Sequence, residues 1–306
     1  MPVNHYHSTD AGAPELTGQL GSLPALLDAI LDAGYGSGGT AKAGAGWTVA
    51  YSGDNKRAYQ PPGGAQRFLR VDHSSAAPSA EAPIVRGYDE MSDIDTGTAP
   101  FPGSGTDIYW RASNAENSTA MAWDAYVSDT FLLLFVKWRA NLYGHDLFFF
   151  GDVVDVGGAN VARTVISGHS NAGFLNPINF ELNDPSDTAQ RVFAIPDATM
   201  GLSPISCHLT SHFLAGQYIG DSHYSISEET GGVAIRGSRG LVHDNNAFVL
   251  GEIPGLVIPW LRMGSRTQGD IFDDLIGGDG RSFRVQETAR DTDSYWCLVD
   301  ITGPWS

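Results

Sequence analysis

Residues 21–36 read GSLPALLDAILDAGYG and contain the clearest helix pattern of the chain. Ser22 is a favourable N-cap residue, Pro24 is tolerated in a first helical turn, and Gly34 can end the helix as a C-cap glycine. The apolar residues recur at three- and four-residue steps on one face, at Leu23, Leu26, Leu27, Ile30 and Leu31. We therefore predict a helix over residues 22–33. Because about three turns of helix are not stable alone in water, this helix must dock on the rest of the protein.

The residues that follow, WTVAYSGDNKRAY at 47–59, have the pattern of a β-hairpin. Val49 and Tyr51 alternate with small or polar residues, as in a half-buried strand. Residues 52–55, which are Ser-Gly-Asp-Asn, predict the turn, and residues 57–59 predict the return strand.

These blocks together resemble an uncharacterised family of tailed-bacteriophage virion structural proteins. Members of that family carry G-S-L-x-x-(V/L)-L-D-A-x-L-x-x-G-Y-G, followed by A-G-W-T-x-x-Y-S-G-x-N-K-x-x-Y. The matching residues, called the motif residues below, are 21–23, 27–29, 34–36, 45–48, 51–53, 55–56, 68–72, 86–93 and the Phe-Gly-Asp at 150–152.

The resemblance implies a non-enzymatic component of a phage particle that makes symmetric contacts with copies of itself and with other virion proteins. It implies location in the virion after assembly in the cytoplasm of the host bacterium. A position in the tail, neck or baseplate is our first expectation, and capsid decoration is the alternative. A host-surface protein that binds or hydrolyses glycans is the alternative from another class.

Composition limits the classes of protein that the chain can belong to. The chain has 306 residues, 42% of them hydrophobic, which is enough for one large or two ordinary folded domains. Its net charge of −17 argues against nucleic-acid binding, which needs a basic surface. The first residues have no signal-peptide pattern, and the longest apolar run, 130–136, is too short for a membrane helix. The two cysteines, Cys207 and Cys297, are expected to be buried free thiols, although a disulfide between them stays open.

Beyond the helix, short aromatic and β-branched runs are bounded by Gly, Asn, Asp and Pro, which predicts a mainly β fold with one docked N-terminal helix, an α+β arrangement. The continuous apolar runs near 130–138 and 147–156 predict central strands covered on both faces. We expect an N-terminal arm over 1–19, a β-rich domain over 20–195 and a second β-rich unit over 196–306. Residues 92–106, rich in Asp, Gly and Pro, are expected to be a long loop.

Two groups of residues are candidate metal ligands. His5 and His7 would lie on one face of a strand, as half of a site for a divalent metal, but the plainer interpretation is an exposed polar arm. Cys207, His208 and His212 lie close in sequence, but they lack the spacing of a zinc motif. We predict no metal site.

Four further features fall short of a catalytic or ligand-binding motif. Residues 220–223, Gly-Asp-Ser-His, lack the strand–turn context of a serine esterase, and the glycines at 34–39 follow a helix rather than a strand, unlike a phosphate loop. The acidic run 270–279 lacks EF-hand spacing, and most of the seven tryptophans have strand spacing that indicates core rather than a glycan-binding groove. The sequence therefore predicts no catalytic residue and no cofactor.

Overall fold

The computed structural model describes residues 3–75, 77, 79–101, 107–137, 146–154, 163–169, 190–194, 205–210, 237–244, 249–259, 268–273, 280–289 and 294–302. Within these ranges the protein is mainly β with a single short α-helix, as predicted. The helix α1 spans Ser22–Leu27, continues as a π-helical segment over Asp28–Ala33, and is followed by a short 3-10 turn at Gly38–Thr40.

One strand precedes α1 in the sequence, and the other described strands follow it. In the first part they are β1 Asn4–His7, β2 Thr48–Gly53, β3 Lys56–Gln60, β4 Phe68–Asp72, β5 Ile84–Tyr88, β6 Glu90–Asp93, β7 Thr96–Thr98, β8 Ile108–Tyr109, β9 Ala122–Val127, β10 Phe131–Lys137, β11 Asp146–Val153 and β12 Arg163–His169. The later strands are β13 Gln190–Ala194, β14 Ile205–Thr210, β15 Gly237–Asp244, β16 Val249–Pro259, β17 Ile271–Asp273, β18 Ser282–Ala289 and β19 Ser294–Asp300.

The helix covers the predicted residues 22–33, and Gly34 ends it with a positive φ of 80°. The predicted N-cap is wrong. Gly21, at φ 81°, is the N-cap residue, and Ser22 is the first helical residue. The chain enters the helix through a left-handed conformation that glycine adopts easily, so the helix begins one residue earlier than an N-cap at Ser22 would place it. The Ser22 hydroxyl instead accepts a hydrogen bond from the Thr17 amide at 2.6 Å.

The strands pair antiparallel in one network that closes on itself, apart from the separate β6–β7 hairpin. One series of neighbours runs β2-β3-β4-β5-β8-β12, and another runs β1-β9-β10-β11-β12. From β12 the network continues through β13, β14, β15, β16, β19, β18 and β17. An isolated bridge between Val154 and Glu252 also joins the end of β11 to β16.

The central strands are covered on both faces, as their continuous apolar sequences predict. Alternate residues of β10 enter two different hydrophobic clusters: one holds Leu132, Leu134 and Val136, and the other Phe131, Leu133 and Phe135. The apolar face of α1 belongs to the first cluster, so the helix is docked on the same core as one face of β10.

The prediction of a loop over 92–106 is wrong in its first part, because β6 and β7 form a hairpin there. Met91 and Ile94 pack with Ala58 and Phe68 on the outer face of β3 and β4, and the Tyr51 hydroxyl donates to the Met91 carbonyl at 2.8 Å. This tertiary contact orders a segment whose composition alone indicates a loop.

Strands from both sides of residue 196 belong to the same network. β13 pairs with β14, and β11 is bridged to β16. The boundary near residue 196 stays a prediction.

Cys297 is a buried free thiol, so the disulfide with Cys207 that the sequence left open is not formed. Burial raises the pKa of the Cys297 thiol. No helix in the described ranges is long and apolar enough to span a membrane.

Candidate functional site

The start of α1 is held by a histidine that lies 50 residues away in sequence. Nδ1 of His73 accepts a hydrogen bond from the Leu23 amide at 3.2 Å, while Nε2 lies 2.6 Å from the carbonyl oxygen of Ala80. The His73 side chain is fully buried. Because one ring nitrogen accepts and the other donates, His73 is neutral with its proton on Nε2.

The middle of the helix is joined to β3 by Asp28. Its carboxylate accepts from Nε of Arg57 at 3.0 Å and from the Tyr59 hydroxyl at 2.8 Å. The same hydroxyl lies 2.9 Å from the carbonyl oxygen of Pro24. Burial first, and then the charge and hydrogen bond of Asp28, raise the pKa of Tyr59, so the phenol stays protonated.

The turn between β2 and β3 also contacts the helix start. Asn55 takes a left-handed conformation with φ 53°, and its carbonyl accepts the His73 amide hydrogen at 2.9 Å. A side chain at Gly21 would collide with the Asn55 amide group, so only glycine fits between the turn and the helix.

The end of the helix is joined to the chain that leads into β2. The Ala45 amide donates to Ile30 O at 3.0 Å, and the Trp47 amide donates to Leu31 O at 2.9 Å. Nε1 of the buried Trp47 then donates to the Ser128 carbonyl at 2.7 Å, which ties this connection to the loop between β9 and β10. We call the contacts of α1 with His73, Asn55, Tyr59 and Trp47 the helix joint.

The Phe-Gly-Asp residues at 150–152 also join separate segments of the chain, here the loop between β3 and β4 and strand β12. Asp152 accepts from the Ala65 amide at 2.7 Å and from the Thr164 hydroxyl at 2.6 Å, so it fixes the loop between β3 and β4 against β12. Gly151, at φ 143°, lies so close to the Phe131 backbone that a Cβ atom would collide with it.

The N-terminal arm lies on the sheet of its own chain. β1 pairs with β9, and the buried carboxylate of Asp124 on β9 is bonded to Nε2 of His5. Nε2 of Gln286 donates to Asp124 at 2.5 Å and contacts the Tyr126 hydroxyl at 2.9 Å, and the His5 ring stacks on Tyr126 with 4.7 Å between centroids. We call His5, Asp124, Tyr126 and Gln286 the arm joint. Burial raises the pKa of Asp124, but His5 and Gln286 outweigh this effect, so the pKa is lowered overall.

The outer edge of β1 is occupied by polar contacts. Nζ of Lys42 donates to His5 O at 2.9 Å, and Asp10 accepts the His7 amide hydrogen at 2.8 Å. Asp10 also accepts from the Tyr35 hydroxyl at 2.5 Å and forms an ion pair with Lys42 at 2.6 Å. These side chains therefore occupy backbone N–H and C=O groups with which an additional strand would have to pair on this edge of β1.

A second histidine–aspartate pair lies at the junction of β11 and β12. Nε2 of His169 is 2.7 Å from Oδ2 of Asp146, and both side chains are buried. Nδ1 of His169 is buried and has no hydrogen-bond partner among the described residues, and the ring lies edge-on to Phe148. No local sequence pattern indicates this pair, because its members are 23 positions apart on neighbouring strands.

The candidate metal ligands of the arm are engaged in other contacts. His5 is bonded to Asp124, and Nδ1 of His7 contacts the Thr9 hydroxyl at 2.7 Å. Among the residues that the structure describes, no group of three or more His, Cys, Asp or Glu side chains could hold a metal ion.

The other sequence candidates are only partly described. Cys207 and His208 lie on β14, while His212, residues 220–223 and most of 270–279 lie outside the described ranges. The Gly34–Gly39 segment is not a phosphate loop, since it ends the helix and leads into the 3-10 turn. Trp47, Trp110 and Trp123 are core residues with at most 1% exposure, so they do not line a glycan-binding surface.

The comparisons with known proteins do not add an identity to this geometry. No protein-family model matches the chain, and no curated protein matches it.

Proposed function

We propose that the chain is a non-enzymatic structural component of a tailed-bacteriophage particle. It acts through symmetric contacts with copies of itself and with other virion proteins, and it resides in the virion after assembly in the bacterial cytoplasm. Our first choice of position is the tail, neck or baseplate, where repeated copies form a ring. Capsid decoration, in which the chain cements neighbouring capsomers, is the alternative position.

The observation that carries this proposal is the internal use of the motif residues. Asp28 is bonded to Arg57 and Tyr59, Trp47 is bonded to Ser128, and Asp152 fixes a loop against β12. Each of these side chains stabilises the position of one segment against another. The likeness to the virion family therefore concerns the shape of the protein and not a set of reacting groups, which favours an assembly role over a catalytic one.

Surface charge supports the same class of partner. With a net charge of −17, the chain has far more carboxylates than cations. Many of its basic side chains are already paired with carboxylates, namely Lys42, Lys56, Arg57, Arg67, Arg70, Arg86 and Arg281. An acidic surface of this kind favours a partner protein with a basic face and disfavours nucleic acid.

The test is a copy count by quantitative mass spectrometry in purified particles of the phage whose genome encodes this chain. The major capsid and tail-tube proteins of the same particles are the internal standards. We expect a copy number from three to a few dozen, as a ring in the tail, neck or baseplate requires. A number near that of the capsid protein would instead assign the chain to capsid decoration.

Complete absence from the particles would contradict the proposal. It would favour the other class, a protein that binds or hydrolyses glycans at the host surface. Size-exclusion chromatography with light scattering on the purified chain is the matched measurement, since a ring component should form a closed homo-oligomer.

A further inference from the structure

The His73 ring occupies a position where it cannot accept a second proton without losing a contact. Nδ1 faces the Leu23 amide hydrogen at an N–N distance of 3.2 Å, and Nε2 faces the Ala80 carbonyl oxygen at 2.6 Å. The backbone of His73 is fixed as well, because its amide donates to Asn55 and its carbonyl accepts from Gly21 at 3.3 Å. One residue therefore connects the helix start, the β2–β3 turn and the segment that carries Ala80.

The charged groups around His73 do not compensate for a proton on the ring. Asp72, the preceding residue, is already paired with Arg70 at 3.0 Å and bonded to the Ser74 hydroxyl at 2.5 Å. Lys56 on β3 lies 3.5 Å from the same carboxylate. On the side of Ala80, Glu116 accepts the Ala80 amide hydrogen at 3.2 Å.

We propose that His73 is a proton-sensitive lock on the helix joint, so that protonation of its ring releases the start of α1 from the Ala80 segment. A hydrogen on Nδ1 would point at the hydrogen of the Leu23 amide, and two donors cannot bond to each other. The ring must then leave its buried site, and the Leu23 amide loses its partner.

The electrostatics agree with the geometry. Burial lowers the pKa of His73 below its ordinary value, and the smaller effects of the Ala80 carbonyl and of Asp72 act in the opposite direction. When the lock opens, the ring becomes free to take up a proton with an ordinary pKa of about 6.5. Acidification from pH 7.5 to 5.5 should therefore raise the opening equilibrium constant by about tenfold.

The first test follows the ring itself in the full chain. Long-range proton–nitrogen NMR spectra of the histidine rings should show His73 with its proton on Nε2 at pH 7.5. On acidification it should remain neutral in the folded state below pH about 6.5. A folded-state His73 that is protonated on Nδ1, or that titrates at or above the ordinary value, would overturn the proposal.

The second test compares the pH dependence of unfolding in two variants. His73→Asn keeps an acceptor near the position of Nδ1 and cannot titrate, so its unfolding equilibrium constant should lose the roughly tenfold factor that His73 contributes between pH 7.5 and 5.5. His7→Asn is the matched control, because His7 lies on the arm away from α1, and it should keep the full change. An unchanged pH response in His73→Asn would overturn the proposal. If that variant does not fold, the ring titration of the wild-type chain decides.

Discussion

The helix joint and the arm joint both hold an N-terminal segment on the sheet through a histidine, but the two histidines are used differently. At the helix joint, His73 is fully buried, bonds only to backbone groups and is neutral. At the arm joint, His5 is 29% exposed and is bonded to the carboxylate of Asp124, which is 2% exposed. The helix joint therefore depends on a neutral His73 ring, and the arm joint depends on the ionised carboxylate of Asp124.

This difference places the acid sensitivity of the two joints in different pH windows. The pKa of His73 is lowered on folding, so the unfolded chain binds more protons, and the free energy of unfolding falls as the pH drops below about 6.5. The pKa of Asp124 is also lowered, but from a much lower starting value. Its contribution is present above pH about 4 and is lost as the pH falls through its folded-state pKa. The helix joint should therefore weaken first.

The largest effect is expected from the apolar part of the helix joint. Leu27 is completely buried, so Leu27→Ala should lower the free energy of unfolding by about 2–5 kcal/mol through lost burial and a residual cavity. Leu20 is 44% exposed and precedes the helix, so Leu20→Ala is the matched control and should change stability by less than about 0.5 kcal/mol. Urea unfolding measures both, and equal losses would mean that the helix is not docked as described.

The next effect tests the carboxylate of the arm joint. Asp124→Asn weakens its contacts with His5 and Gln286, and we expect a loss of about 1.5–3 kcal/mol at pH 7. The variant should also lose less stability than the wild-type chain on acidification below pH about 4, because the lowered pKa of Asp124 is removed.

Exposed Asp54 provides the control for this prediction, and Asp54→Asn should leave both the stability and the acid response nearly unchanged. If the acid response of Asp124→Asn matched the wild-type response between pH 5 and 2, the assignment of that response to the arm joint would be wrong.

A smaller effect is expected where the helix meets β3. Tyr59→Phe removes the hydroxyl that contacts Asp28 and Pro24, and the expected loss is about 1–1.5 kcal/mol. A double-mutant cycle with Asp28→Ala should give a coupling energy of at least about 0.5 kcal/mol, since the two side chains share a hydrogen bond. Additive effects of the two substitutions would contradict a direct contact.

The smallest effect belongs to the exposed part of the arm. Lys42 pairs with Asp10 at 2.6 Å, and both side chains remain partly exposed. Lys42→Gln should cost only about 0.2–1 kcal/mol, and the difference should shrink at high salt because the ion pair is screened. A loss that does not depend on salt would indicate that the Lys42 contact with His5 O matters more than the ion pair.

Local sequence patterns predicted the parts of the fold that depend on neighbouring residues. The leucine spacing predicted residues 22–33 as helix, and the Ser-Gly-Asp-Asn turn predicted the β2–β3 hairpin. The doubly covered β10 followed from its unbroken apolar run. In each case the physical signal lies within about ten residues of chain.

The contacts of the two joints could not be predicted in the same way. His73 and Leu23 are 50 positions apart, and His5 and Asp124 are 119 positions apart, so no local pattern pairs them. The pattern His5-x-His7 gave a true signal for two rings on one strand, but it could not show that a buried carboxylate on β9 takes the first of them. Long-range polar contacts need the topology, and the topology follows from strand pairings that the sequence does not encode locally.

The most direct test of the comparison is residue-resolved hydrogen exchange of both joints in one sample of the full chain at pH 7.5 and 5.5. After correction for the intrinsic exchange rates, the protection of the Leu23 amide should fall by about tenfold, while the protection of the Tyr6 amide on β1 should stay within about twofold. If protection of both amides fell together, or if that of Leu23 did not change, the two joints would not differ in the way described.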